Sequence, residues 1–424
     1  MSAHTTQWSE AEQVEFFSST EIIELIEGMY QSTGVAKRAS LVELHHRPGA
    51  GVSGLFEVLP SDPPSQPPAG TAAAAAQPLT TAVYLVATSE SLPEDTGSIV
   101  RMSSERGDLA LWEHPFDPGL VGLPAASIPE NVQRIWGQGA DLIDLETIAY
   151  RPLRRAVLKA QFAEPVGQIF LKVLRKDAQL LWRKHRLLQD AGAPVPQLIG
   201  EPIDEVVALT TVSGVPLAQA IMNSRVRPIT GAQIIAVLNA FPQELATMPG
   251  RPAWTDRLGW YAHAAKTAIP DQSVRIDTLV AHIEAVLHNA ERGPLVPNHG
   301  DFYEANLFVR NGEISGLIDI DSAGPGYLID DLACFIGHLA VLPTLDPRYA
   351  HVPAYVDEYL ADFAYYLQSQ GITVAGLYAR TASVILTLVA GARDEENPMW
   401  EDYAEQRLAL AESMLSRVGV LGPT

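Results

Sequence analysis

Three polar side chains in the second half of the chain have types and spacing that suit one chemical site. Asp301 and Asn306 lie five positions apart, and Asp319 ends the partner strand of a predicted hairpin that turns at Asn311-Gly312. Such a hairpin brings the three side chains to one end. An aspartate and an asparagine carbonyl are hard oxygen ligands of the kind that Mg²⁺ needs when it bridges ATP phosphates. Asp301 would then be free to accept a hydroxyl proton.

The surrounding string is His299-Gly300-Asp301-Phe302-Tyr303-Glu304-Ala305-Asn306, followed by Ile318-Asp319 and later by Asp331-Leu332-Ala333. It resembles the catalytic loop and metal-binding aspartate of the protein-kinase-like small-molecule kinases, the aminoglycoside phosphotransferase and choline kinase group. The resemblance covers residues 132–424. It implies a two-lobed α+β fold, a small β-rich lobe beside a large helical lobe, and the use of ATP with Mg²⁺.

Within that resemblance each residue of the motif has an implied role. Asp301 would be the catalytic base, and Asn306 and Asp319 would be the magnesium ligands. His299 would support the loop. Asp331 would steady it by hydrogen bonding, which is also what a buried aspartate at a helix start would do, so Asp331 is left outside the catalytic set.

The nucleotide side of the site is predicted from three further positions. Lys172 is the one lysine inside an apolar strand and is expected to contact the ATP phosphates. The family resemblance places the adenine beside the backbone of Thr211 and Val212. Two departures stand out: the predicted helix 177–191 has no glutamate to pair with Lys172, and segment 150–158 has no glycine for a phosphate-binding loop.

Two subgroups of the family resemble further strings in this chain. The segment Tyr150-Arg151-Pro152-Leu153-Arg154-Arg155-Ala156 looks like that of actinobacterial maltokinases, which carry an N-terminal cap domain. The catalytic string together with Trp400-Glu401 looks like the actinobacterial glucosamine kinases. An amino sugar such as glucosamine is therefore the expected acceptor, and an aminoglycoside or maltose is the alternative.

The acceptor prediction also has a chemical argument. Substrate contacts are expected from Asp301, Tyr303, Glu304, Trp400 and Glu401, because carboxylates can hold an ammonium group while an indole covers the apolar face of a ring. A neutral sugar would not exploit the carboxylates. The alternative interpretation of residues 394–402 is a solvated acidic loop that caps the last helix.

The chain is predicted to have three parts. Residues 1–131 form an N-terminal cap with a disordered Pro/Ala-rich loop at 60–78, residues 132–212 form the small lobe, and residues 213–424 form the helical lobe. Strands are predicted at 40–44, 54–59, 82–87, 147–158, 168–174 and 206–212. Helices are predicted near 10–30, 177–191, 231–247, 274–290, 355–370, 374–391 and 401–418.

Composition narrows the class of protein. The 424 residues carry a net charge of −21, which argues against non-specific binding to nucleic acid or anionic lipid. The single cysteine, Cys334, excludes an intrachain disulfide. The apolar stretches fall short of the roughly 20 residues of a membrane span, and the N-terminus does not resemble a secretion signal, so a cytoplasmic location is expected. Oligomeric state is left open.

Parts of these motifs are also found in other functional classes. Asp319-Ile320-Asp321 could belong to a haloacid-dehalogenase-type phosphatase, but Ala323 stands where that class has Thr or Val. Asp321-Ser322-Ala323 also departs from the Asp-Ser/Thr-Gly of aspartic proteases. A catalytically inactive kinase-like binding protein is a third alternative, because the helix glutamate and the glycine loop are missing.

Overall fold

The computed structural model describes residues 8–31, 37–47, 51–60, 82–94, 97, 99–103, 107–394 and 397–420. By their internal contacts the chain divides into two compact units: unit 1 is residues 1–179 and 199–209, and unit 2 is residues 180–198 and 210–424. The predicted domain boundaries at 131 and 212 stay predictions. Beyond Pro60, the loop predicted at 60–78 lies outside the described residues.

Unit 1 begins with a helical pair packed on a five-stranded sheet of order β1-β2-β3-β5-β4. Phe17, Ile22 and Ile26 of the helices are buried against Phe56 and Leu111 of the sheet. Burial of these large apolar side chains holds the layers together. The elements are α1 (Glu10–Phe17), α2 (Thr20–Gln31), β1 (Lys37–Arg47), β2 (Gly51–Pro60), β3 (Val83–Thr88), β4 (Val100–Ser103) and β5 (Asp108–Glu113).

A second, four-stranded sheet of order β6-β7-β8-β9 completes unit 1. Residues alternate between buried and partly exposed along its second and third strands, as expected for a sheet with one face in a core. Trp112 and Trp136 join Leu158 and Leu171 in one apolar cluster, so both sheets share a core. The elements are α3 (Leu123–Ser127), α4 (Pro129–Trp136), β6 (Leu142–Arg151), β7 (Arg155–Phe162), β8 (Gln168–Leu174) and β9 (Val206–Thr210).

Unit 2 is mainly helical and carries two small strand groups. Strands β10, β12 and β13 form a three-stranded sheet, and β11 pairs with β14. The strands are β10 (Val215–Pro216), β11 (Val296–Asn298), β12 (Leu307–Arg310), β13 (Glu313–Leu317) and β14 (Gly324–Gly326). The helices are α5 (Ala178–Asp190), which enters this unit at Leu180, α6 (Leu217–Asn223), α7 (Gly231–Asn239), α8 (Leu258–Ala268), α9 (Ser273–Asn289), α10 (Leu328–Leu345), α11 (Val352–Ser369), α12 (Val374–Thr387) and α13 (Trp400–Val420).

Helix α10 is the central helix of unit 2 and packs against α11, α12 and α13. Among the described residues it alone is long and apolar enough to cross a membrane, judged by length and composition, and 78% of it is buried inside the protein. A helix enclosed on all sides has no polar face and therefore no amphipathic period. This explains why the sequence pattern does not predict α10.

The predicted α+β class is confirmed, with a β-rich unit and a helical unit. Along the chain, α5 lies between β8 and β9 of the small sheet, and a mainly helical part follows, as the sequence predicts for a small β-rich lobe and a large helical lobe. Three predictions of elements are wrong in detail. The strand at 147–158 is the β6–β7 hairpin, turned at Pro152–Arg154, and the helix at 10–30 is broken at Ser18-Ser19. The helix at 231–247 ends at Asn239, and a separate 3-10 turn, Gln243–Thr247, follows Pro242.

Asp117 ties the β6–β7 turn to the segment that precedes α3. Its carboxylate is 3% exposed and accepts hydrogen bonds from Tyr150 Oη (2.6 Å), Leu153 N (2.9 Å) and Gly119 N (2.7 Å). Leu153 itself has a left-handed backbone with φ of 62°. The arginine-rich turn of the sequence is therefore fixed from within unit 1.

Replacement of Asp117 tests this anchor. Asp117→Ala leaves two buried donors and one partly buried donor without their acceptor and should lower the free energy of unfolding by about 2–4 kcal/mol, measured by urea denaturation. Tyr150→Phe, which removes one of the bonds, should cost about 1 kcal/mol. The exposed Asp108→Ala is the control, and an Asp117→Ala protein as stable as that control would contradict the anchor.

Candidate active site

The loop that carries Asp301 begins where β11 ends. Gly300 has φ of 78°, and a Cβ at this position would lie 2.8 Å from the carbonyl oxygen of Ser322. Both the backbone conformation and the close approach therefore require glycine. Asp301 follows directly and is partly exposed, while Phe302 is fully buried. The loop therefore holds the partly exposed Asp301 on a backbone that is fixed by its buried neighbours.

Asp331, in the first turn of α10, holds this loop. Its Oδ2 accepts a hydrogen bond from His299 N (2.7 Å) and its Oδ1 accepts one from Gly300 N (2.9 Å). The side chain is 1% exposed. Burial raises the pKa of Asp331 to about 7, against the opposing effect of the two N–H donors. The predicted steadying role of Asp331 is confirmed by this geometry.

His299 is a neutral link between the loop and the β12–β13 hairpin. Burial lowers the pKa of His299 to about 4. Its Nδ1 accepts from Asp301 N (3.3 Å), so Nε2 carries the proton and donates to Ile318 O (3.0 Å). The imidazole therefore joins Asp301 to the residue before Asp319.

The hairpin brings the two predicted metal ligands to this loop. Asn306 Nδ2 donates to Asp301 O (3.0 Å), and Ile318 N donates to Asn306 O (3.0 Å). The turn between β12 and β13 has left-handed Asn311 and Gly312, as the sequence predicts. Asp301, Asn306 and Asp319 are thus connected through a short series of hydrogen bonds.

Asp319 has an uncommon backbone. Its φ of 57° and ψ of 48° are left-handed, and it precedes the single turn Ile320–Ser322. A non-glycine residue in this region is typical of turns and functional sites whose surroundings fix the conformation. Together with the Asn306 amide, its carboxylate offers the oxygen donors that suit Mg²⁺. Within the described ranges no group of three or more His, Cys, Asp or Glu residues could hold a metal ion, so ligands from phosphates would be needed.

Lys184 is not among the residues that the sequence motifs predict. This lysine lies on α5, is 3% exposed, and donates from Nζ to the backbone oxygen of Asp321 at 2.9 Å. Burial lowers the pKa of Lys184, and the charge of Asp321 opposes this effect. Its signal in the sequence was its spacing, because it lies between the buried Leu181 and Leu188 on the apolar face of the helix.

The predicted nucleotide residues belong to different units. Lys172 lies on β8 in unit 1, opposite Val157 of β7, on the partly exposed face of the sheet. Thr211 and Val212 follow β9 in unit 2, and Thr211 is exposed. Their contacts with ATP stay predictions. Arg154 of the turn between β6 and β7 pairs with Glu90 (2.7 Å) inside unit 1.

On the acceptor side, Tyr303 and Glu304 differ in exposure. The Tyr303 ring stacks on His338 of α10 at 4.4 Å, and burial followed by the charge of Asp301 raises the pKa of Tyr303 to about 12. Glu304 is 4% exposed, and burial raises its pKa to about 7. Its Oε2 is buried and accepts no hydrogen bond within the described chain. Glu304 therefore does not present an open carboxylate beside Asp301.

An aromatic group that the sequence analysis missed lies near Asp301. It consists of Tyr303, His338, Trp254 and Tyr261: Trp254 is 6.0 Å from His338 and 5.3 Å from Tyr261 between ring centroids. Burial raises the pKa of Tyr261, and the charge of Asp301 also raises it. The Arg257 guanidinium lies 5.1 Å from the Trp254 ring and 5.3 Å from the Tyr261 ring.

Trp400 and Glu401 begin helix α13. Arg393 lies 5.9 Å from the Trp400 ring, and Glu401 is exposed. In the part of the chain that the structure describes, no ring contact joins Trp400 to Tyr303. The neighbouring Glu395 and Glu396 lie outside the described residues. Substrate contacts from this segment therefore stay predictions.

Asp331→Asn tests the anchor of the loop. The amide cannot accept both N–H groups, so exchange of the backbone amides of residues 299–301 should accelerate about tenfold, measured by hydrogen exchange and mass spectrometry. The remainder of α10 should keep its protection. Asp277→Asn, on the surface of α9, serves as the control. Unchanged exchange at residues 299–301 would show that Asp331 does not hold the loop.

Comparison with known proteins agrees with the motif over part of the chain. Residues 173–369 match the model of the phosphotransferase enzyme family. No curated protein sequence matches the chain.

Solved structures similar to this chain include three phosphotransferases of low sequence identity. A thermostable mutant of aminoglycoside phosphotransferase APH(4)-Ia, in a ternary complex with ADP and hygromycin B, is 14% identical with a TM-score of 0.48, covering 70% of this chain and 100% of that chain. Plasmodium vivax ethanolamine kinase is 13% identical with a TM-score of 0.45, covering 68% and 89%. Macrolide 2'-phosphotransferase MphH from Brachybacterium faecium is 20% identical with a TM-score of 0.38, covering 66% and 98%.

Proposed function

We propose that the protein is an ATP-dependent kinase that phosphorylates a hydroxyl group of a small sugar, with an amino sugar such as glucosamine as the leading acceptor. One observation carries the proposal: Asp301, Asn306 and Asp319 lie on backbone segments that hydrogen bonds join into one rigid assembly. Phosphoryl transfer depends mainly on such positioning and on neutralising charge.

In this mechanism Asp301 accepts the proton of the acceptor hydroxyl while the hydroxyl oxygen attacks the γ-phosphorus of ATP. The bond between the γ-phosphorus and the β–γ bridging oxygen breaks, and ADP leaves. Asp331 and His299 keep the backbone of Asp301 in place, since both hydrogen-bond within the loop. Lys172 would contact the phosphates, and Thr211 and Val212 would contact the adenine. Without a rigid loop the carboxylate would sample geometries in which it cannot reach the hydroxyl.

Asn306 and Asp319 would hold Mg²⁺. The Asn306 amide nitrogen is directed at Asp301 O, which leaves the oxygen of that amide as the donor for a cation. When bound, Mg²⁺ would neutralise charge on the phosphates. The left-handed Asp319 aims its carboxylate from a fixed turn.

The aromatic group beside Asp301 supports a ring-shaped acceptor. Aromatic faces cover the apolar face of a sugar ring, while its hydroxyls reach polar groups. The Arg257 guanidinium among these rings disfavours a polycationic aminoglycoside because like charges repel. An acceptor with one ammonium group therefore remains the first candidate. A neutral sugar such as maltose is the second candidate.

The roles of the carboxylates can be separated by mutation. Asp301→Asn should abolish turnover, measured as ADP release with Mg²⁺ and glucosamine, while ATP still binds in calorimetry. Asp319→Ala should lose both turnover and Mg²⁺-dependent nucleotide binding. Glu313→Gln, an exposed carboxylate on the same hairpin, is the control. Near-native rates in either variant would refute the assignment, and an unaltered protein that binds ATP but releases no ADP with any sugar would be an inactive binding protein.

The acceptor is identified by comparing kcat/KM for glucosamine, glucose, maltose and kanamycin. We expect glucosamine to be best. A clear preference for glucose or maltose would contradict the ammonium argument, and kanamycin as best substrate would indicate an aminoglycoside phosphotransferase. Glu401→Gln should penalise glucosamine more than glucose, whereas Glu304→Gln should change both alike because Glu304 is buried.

A further inference from the structure

Lys184 occupies a position where a charge is costly. It lies on the face of α5 that also carries Leu181 (5% exposed) and Leu188, which is fully buried. Removing an ammonium group from water costs several kcal/mol unless hydrogen bonds or opposite charges compensate. The groups that contact the Lys184 ammonium therefore show what compensates the cost of its burial.

The partner of Lys184 is the turn that follows Asp319. Each carbonyl oxygen of this turn, Ile320–Ser322, accepts a hydrogen bond: Ile320 O from Ala323 N (3.0 Å), Asp321 O from Lys184 Nζ (2.9 Å) and Ser322 O from Arg251 N (3.3 Å). Two of these donors are backbone groups. Lys184 is the one side chain among the three, and it is charged, so its bond is the strongest of the set.

The turn needs this support because Asp319 is left-handed. That conformation is unfavourable for a residue with a side chain and persists only where its surroundings fix it. If the carbonyl of Asp321 lost its donor, the turn could relax and the Asp319 carboxylate would change direction. Asp319 would then no longer hold its carboxylate in the geometry that octahedral Mg²⁺ coordination requires.

The charge of Lys184 also acts on this turn. The ammonium group interacts with the charge of Asp321, in a chain whose net charge is −21.

We propose that Lys184 is a positioning residue for Mg²⁺-dependent nucleotide binding, which acts by holding the backbone oxygen of Asp321 and so the direction of the Asp319 carboxylate. This inference rests on the proposed function. Lys184 touches neither the acceptor nor the transferred phosphoryl group in this role. Its effect is on the metal-dependent part of nucleotide affinity.

The test measures ADP binding to the whole protein by calorimetry, with and without Mg²⁺. Lys184→Met keeps the length and apolar stem of the side chain and removes the donor, so the fold should be retained. We expect about tenfold weaker ADP binding in the presence of Mg²⁺, as for other residues that orient metal ligands, and unchanged binding without it. Lys184→Arg, which keeps a charged donor, should recover part of the loss.

Arg183→Met is the matched control, because Arg183 is exposed on the neighbouring position of the same helix. It should bind ADP like the unaltered protein in both conditions. If Lys184→Met does not fold, Lys184→Gln is measured in its place; its amide can still donate, and a smaller loss confined to the Mg²⁺ condition is expected.

Two results would overturn the role of Lys184 while leaving the proposed function intact. The first is a Lys184→Met protein whose ADP affinity with Mg²⁺ equals that of the unaltered protein. The second is an equal loss with and without Mg²⁺, which would indicate direct contact with the phosphates. If the unaltered protein shows no Mg²⁺-dependent ADP binding, the proposed function fails and this inference fails with it.

Discussion

The buried carboxylate of Asp331 is the contact on which the rest of the site depends. It accepts the N–H groups of His299 and Gly300, two consecutive amides of the loop that carries Asp301. Because each oxygen of this carboxylate accepts one backbone N–H group, the conformation of the loop is restricted. Asp331 is itself fixed because α10 is enclosed by other helices, and the neighbouring Asp330 forms a buried ion pair with Arg380 of α12 (2.9 Å). The direction of Asp301 is thereby set by the core of unit 2.

The proposed function requires an acidic protein to accept an anionic nucleotide. The net charge of −21 would repel phosphates at long range, and attraction must therefore be local. Buried Lys184 places a cation beside the turn that carries Asp319. Low exposure protects this interaction from salt screening, which would weaken a cation at the surface. The proposed Mg²⁺ ligands Asn306 and Asp319 would act in the same local way, because a bound Mg²⁺ would place positive charge only beside the phosphates.

The aromatic group near Asp301 shows how distant segments form one surface. Tyr303 comes from the loop that carries Asp301, and His338 comes from α10, two turns beyond Asp331. Trp254 precedes α8, and Tyr261 lies within that helix. These segments all belong to unit 2, and the Arg257 guanidinium contacts the rings of Trp254 and Tyr261. In the proposed function, acceptor specificity could therefore change through α8 without a change in the loop that carries Asp301.

Local features of this protein can be predicted from its residues. The Asn311-Gly312 turn, the alternation in β8 and the spacing of Asp301, Asn306 and Asp319 are encoded over a few residues, because backbone conformation and side-chain period are local properties. Three other features depend on how distant segments pack. Tertiary structure revealed α10 as a core helix, which has no amphipathic period to detect. It buried Glu304, an acidic residue that composition alone would place in water. It also joined Lys184 to Asp321 across 137 positions, and no pattern along the chain can specify a contact that exists only after α5 has packed beside the hairpin.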